Sequence, residues 1–63
     1  MTPLHTAAWF GHIEIVKMIL DVAEDKNPKN DLGETPLHLA VRRGNIIIQQ
    51  IINQAIEAEI IEL

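Results

Sequence analysis

Apolar residues recur at helical spacing in the first third of the chain. Ile15, Val16, Ile19 and Leu20, with polar residues between them, predict an amphipathic helix from about Ile13 to Val22. A shorter helix precedes it. Thr2 stands before Pro3, and a residue before proline is pushed out of the α region. A threonine hydroxyl there can accept a backbone N–H as a cap, and proline suits the first helical position, where its missing donor costs nothing. The helix therefore starts at about Pro3, and Gly11 stops it after roughly two turns in the left-handed conformation. Downstream, residues 25–33 (Asp-Lys-Asn-Pro-Lys-Asn-Asp-Leu-Gly) are breakers and turn formers, with a tight turn expected at Asp31-Leu32-Gly33.

The pattern then starts again. Thr2-Pro3-Leu4-His5 returns as Thr35-Pro36-Leu37-His38, an offset of 35 − 2, or 33 positions. The same shift lays Ala7 on Ala40, Gly11 on Gly44, Ile13 on Ile46, Ile15 on Ile48 and Ile19 on Ile52. The chain is two copies of one unit: short helix, turn, longer helix, protruding turn. A third helix is expected from Pro36 to Gly44, and a fourth after it.

The 33-residue period and the Thr-Pro-Leu-His opening resemble the ankyrin repeat. The stretch Gly11–Leu20 looks like that family's second helix, and Asn30–Ala40 like its hairpin running into the next first helix. The resemblance covers the whole chain. It is specific for the fold and silent on the partner. It implies an all-α, helix-turn-helix solenoid of two repeats, residues 1–34 and 35–63, with a protruding turn between them. It further implies that His5 and His38 hydrogen-bond within and between repeats. His12 would bond the inter-helix turn, and Asn27 would pin the hairpin loop to the next unit. Positions that vary freely in the family and often touch partners match Trp9, Phe10, Val22, Asp31, Leu32, Glu34, Arg42, Arg43 and Ala55.

Departures from the family pattern carry information. Ala23 stands where glycine is usual, so the second helix should end in a strained or differently shaped exit. Its counterpart Ile56 is followed by no glycine or proline, so the last helix should run to Ile60 or beyond. Val16 and Leu20 correspond to Gln49 and Asn53, so the second copy reads as a terminal or degenerate unit with a polar outer face. No hairpin precedes Thr2, so the chain reads as the tail of a longer array. On that view the face formed by Leu4, Ala8 and Ile15 should be partly bare.

Composition narrows the function. Of 63 residues, five are Lys or Arg and nine are Asp or Glu, a net charge of −4. So few cations make a poor nucleic-acid binder, because that affinity rests on neutralising phosphates. There is no apolar run of transmembrane length and no basic, apolar leader after Met1, so a cytoplasmic or nuclear protein is expected. Cysteine is absent, which excludes disulfides and thiolate metal sites. His5 and His38 occupy equivalent positions in packed units, about 8–10 Å apart. Ligands of one zinc lie only a few Å from each other, so the pair is read as structural. Serine is absent too, and two of the three threonines are caps. Glu57, Glu59 and Glu62 read as a solvated helix face. The three glycines never form a phosphate loop. No enzyme, catalytic residue, cofactor or metal is expected.

Two functions remain. The leading one is a protein–protein interaction module or adaptor, without catalysis, binding an unidentified protein and neither nucleic acid nor membrane. The candidate partner surface is Trp9, Phe10, Val22, Asp31, Leu32, Glu34, Arg42 and Arg43, since aromatics and arginine dominate interface energetics. Trp9 could instead pack against a preceding repeat or its own helix ends, and Arg42 and Arg43 could pair with Glu34 or an acidic residue of the neighbouring unit, which at an exposed site contributes little. The alternative function is a truncated fragment of a longer repeat protein, without independent activity. Bare repeat ends would then favour self-association. The uncharged, β-branched segment Ile46–Ile52 adds a cross-β hazard.

Overall fold

The computed structural model describes residues 2–61, and the side chains of residues 2–58. Among them are four helices: α1 (Pro3–Phe10), α2 (Ile13–Val22), α3 (Pro36–Arg42) and α4 (Ile46–Ile61). No strand is present among the described residues. The first and third helices pack together in one layer, and α2 and α4 in a second layer behind them. This is the all-α, two-unit stack that the 33-residue register implies. Met1, Glu62 and Leu63 lie outside the described residues, as does the side chain of Glu59; Glu57 is exposed.

Both short helices start the same way. Thr2 and Thr35 accept the backbone N–H of His5 and His38, and the histidine rings reach back to the threonine backbone. This reciprocal cap satisfies two otherwise orphaned donors at each start. Gly11 (φ 74°) and Gly44 (φ 69°) take the left-handed conformation just past the two helices, which a Cβ would strain.

The exit of α2 is differently shaped rather than strained. Ala23 is extended (φ −74°, ψ 135°), so no left-handed glycine is needed. Instead the Lys26 ammonium turns back and donates to the carbonyls of Leu20 at 2.5 Å and Ala23 at 2.6 Å. A cation there also faces the negative end of the helix dipole.

Leu4, Ala7, Ala8, Val16, Leu20, Ala40, Ile48 and Ile52 form the core between the two copies. The expectation that Leu4 and Ala8 lie on a bare face is corrected: they are 2% and 0% exposed. Leu4 and Ala8 are four residues apart and share one side of α1, while Thr6 and Phe10 share another. The Leu4 side is buried in the core between the copies; Thr6 and Phe10 are exposed. The second copy mirrors this, with Leu39 buried at the position of Thr6 and Val41 exposed at that of Ala8. Ile15 is partly bare as expected, 48% exposed where Ile48 is 0%. On the opposite end of the stack Gln49 is half-buried and Asn53 exposed.

Candidate interaction surface

The turn between the copies is held by Asn30. Its Oδ1 accepts the N–H groups of Leu32 and Glu34, both at 2.9 Å, and its Nδ2 donates to Glu34 Oε1 at 3.1 Å. Backbone bonds from Asn30 N–H to the Glu34 carbonyl and from Gly33 N–H to the Asn30 carbonyl close the loop. Asp31 and Leu32 are thereby presented at its tip, with Leu32 82% exposed.

The first repeat reads this turn directly. His5 is fully buried. Its Nδ1 lies 2.8 Å from the Thr2 hydroxyl, and its Nε2 2.7 Å from the Glu34 carbonyl. A carbonyl only accepts, so Nε2 carries the proton and Nδ1 takes the hydroxyl's. This is the bond within and between repeats that the family resemblance implies. His12 departs from its expectation. It precedes α2 but makes no side-chain cap, and its ring instead stacks on Phe10 with centroids 6.2 Å apart. Asn45, at the same position in the second copy, does cap, accepting from Ile48 N–H at 3.1 Å. The shorter asparagine keeps an acceptor close to the helix start, which suits it to this role.

Several candidate residues are brought together. Arg42 Nη1 meets Glu34 Oε2 at 2.5 Å, joining the end of α3 to the turn. The side-chain bond from Asn30, and then Arg42, hold the Glu34 carboxyl below the usual carboxylate range. The Arg43 guanidinium lies 4.9 Å from the centroid of the Trp9 ring, joining α3 to α1. A cation over indole at an exposed site contributes about 0.5–1 kcal/mol. Trp9 is half-buried, and Phe10 is 63% exposed. Val22 lies apart, exposed at the end of α2 in the other layer, and Ala55 packs partly into the core.

Asn27 is corrected as the residue that pins the loop. Its Oδ1 is buried and has no hydrogen-bond partner among the described residues. Asn30, three residues on, closes the turn on itself because it sits inside it, within reach of its N–H groups, and Glu34 ties the turn to the repeats through His5 and Arg42. The sequence carries a signal for this: asparagine bonds its own backbone two residues on in turns. The reach of Lys26 to the end of α2 has no such signal, because Ala23 had first to leave the helix.

No group of three or more metal-ligating side chains is gathered among the described residues. No helix among them is long and apolar enough to cross a membrane.

A family model described as ankyrin repeats (3 copies) matches residues 1–61. Among curated proteins, the chain is 50% identical over 40 residues to the transient receptor potential cation channel subfamily A member 1 homolog of Caenorhabditis elegans, covering 64% of this chain and 3% of that protein. It is 44% identical over 43 residues to the E3 ubiquitin-protein ligase KEG of Arabidopsis thaliana, covering 68% and 3%. It is 42% identical over 55 residues to alpha-latrotoxin-Lg1a of Latrodectus geometricus, covering 86% and 4%. The chain thus spans only a few per cent of the length of these relatives. No solved structure matches it.

Proposed function

This chain belongs to the ankyrin-repeat family, and from that premise we propose that it is a protein–protein interaction module or adaptor that performs no catalysis of its own. The observation that carries the reading is the continuity of the front of the stack. Arg43 over Trp9 links the two short helices, and Arg42 on Glu34 links them to the turn that presents Leu32. Trp9, Phe10, Asp31, Leu32, Glu34, Arg42 and Arg43 then form one surface. Aromatics and arginine, held by neighbours before a partner arrives, lose little freedom on binding. Val22 forms no part of it.

The named relatives include a channel, a ligase and a toxin. What they share with this chain is the repeat, which supports binding rather than a common chemistry. Photo-crosslinking tests the surface. A crosslinker at Leu32 or Phe10 should capture a discrete partner, and the adduct should fade with Trp9→Ala and Arg43→Ala. Equal capture from Gln50, on the rear layer, would overturn the assignment.

A second reading is that the module works as part of a longer array. Ile15, 48% exposed where Ile48 is 0%, favours it, because a preceding repeat would cover that residue as the first copy covers Ile48.

A further inference from the structure

Two arginines stand side by side at the end of α3, and the structure uses them differently. Arg42 is engaged within the molecule. It meets Glu34 Oε2, and Asn30 donates to the other oxygen of that carboxylate. Arg43 has no such partner. The ion pairs among the described residues are Lys17 with Glu14 and Arg42 with Glu34, and Arg43 belongs to neither. Its guanidinium lies 4.9 Å from the Trp9 centroid instead. An aromatic face attracts the charge but leaves the guanidinium fork, which matches a carboxylate with two parallel N–H donors, facing no anion. The residue is also held at both ends. Its backbone N–H caps α3 on the carbonyls of Leu39 and Val41, and its head rests on half-buried Trp9. An arginine fixed in this way loses less side-chain freedom when a ligand arrives.

The distribution of charge gives this cation its meaning. Asp31, Glu34, Arg42 and Arg43 balance, so the net charge of −4 lies entirely on other residues. A basic partner would be drawn to that acidic remainder, whereas an acidic one is repelled there and attracted only where an arginine stands unpaired. One uncompensated guanidinium matches the single charge of a carboxylate, while a phosphate monoester carries nearly twice as much. Beside it the surface is apolar. Phe10 occupies the position of Arg43 one unit earlier, about 8–10 Å away, and is 63% exposed. We propose that the front of the stack binds a protein segment in which an aspartate or glutamate lies close to a large apolar residue, the carboxylate on the Arg43 fork and the apolar side chain on Phe10. The proposal rests on the reading of this front as the partner surface and adds the chemistry of the partner.

The test selects peptides on the full chain from a random heptapeptide library displayed on phage. Recovered sequences should carry aspartate or glutamate near an aromatic or large aliphatic residue. One of them, made synthetically, is then titrated while the fluorescence of Trp9, the single tryptophan, is followed. Arg43→Gln should weaken binding about tenfold, and Arg43→Lys, which keeps the charge but not the fork, severalfold. Arg42→Gln should change it no more than about twofold, because Arg42 is already taken by Glu34. A thermal melt of each variant separates lost binding from lost folding. Recovery of only basic or uncharged peptides, or of none, would overturn the proposal. So would an equal loss from Arg42→Gln and Arg43→Gln, or a manyfold gain when phosphoserine replaces the selected carboxylate. If crosslinkers at Phe10 and Leu32 still captured a discrete partner in those cases, the surface would stand and only the assigned chemistry would fall.

Discussion

Replacing Asn30 by alanine withdraws the two N–H contacts and the Glu34 contact that close the turn. Each net hydrogen bond is worth about 0.5–1.5 kcal/mol, and a buried group left unpaired costs more. Asn30→Ala should therefore destabilise the chain by about 1–3 kcal/mol, whereas Asn27→Ala should not, and thermal melts of the two variants side by side check the contrast. Glu34 adds a pH dependence. Its carboxyl is held below the ordinary value of 4.5 by Asn30 first and Arg42 second. A depressed folded-state pKa stabilises in full above the unfolded value, and that stability is lost as pH falls through the folded value. The melting temperature of the wild type should hold from neutral pH to about 5 and decline below. Glu34→Gln should lessen the decline, and an unchanged acid limb in that variant would count against the assignment.

At the scale of the element, α2 ends without the glycine usual in its family. A consensus argument would replace Ala23 by glycine to stabilise it. The observed backbone argues otherwise, since φ −74°, ψ 135° is open to alanine, and glycine would only add freedom to the unfolded chain. Ala23→Gly should cost about 0.4–1 kcal/mol. Lys26→Met should cost about 0.3–1 kcal/mol by removing a cation from the helix C-terminus. Circular dichroism melts of both variants measure these directly, and stabilisation by Ala23→Gly would show that α2 prefers a left-handed exit.

For the whole molecule, one interface between two copies supplies most of the buried apolar surface. At roughly 0.05–0.15 kcal/mol per residue, a domain of this length has on the order of 3–9 kcal/mol of stability. Ile52 is fully buried, and truncating a buried isoleucine to alanine costs about 2–5 kcal/mol. Ile52→Ala should therefore remove a large share of the stability and lower the melting temperature steeply, in one transition that takes both copies together. Ile47, 54% exposed on the same helix, is the contrasting position. Ile47→Glu interrupts the uncharged Ile46–Ile52 run without touching the core. It should reduce self-association in sedimentation while leaving the melt unchanged; loss of the melt would show that Ile47 packs after all.

Helix starts and stops, the turn at Asp31-Leu32-Gly33 and the 33-residue register were all legible in the residues. The starts, the stops and the turn rest on bonds or steric limits spanning four residues or fewer, namely threonine to histidine N–H, proline at the first position and glycine at positive φ. The register rests on identities 33 positions apart. The polar swap at Gln49 and Asn53 was legible too, because the repeat compares each position with its twin. Which side of α1 enters the core was not. Leu4 with Ala8 and Thr6 with Phe10 are both i, i+4 pairs, and only the location of α3 selects between them. The pairing of Arg43 with Trp9, the choice of Arg42 over Arg43 as the partner of Glu34, the idle oxygen of Asn27 and the retreat of Lys26 onto α2 were likewise decided in three dimensions. Long side chains choose among partners by distance, and those distances exist only once the helices have packed.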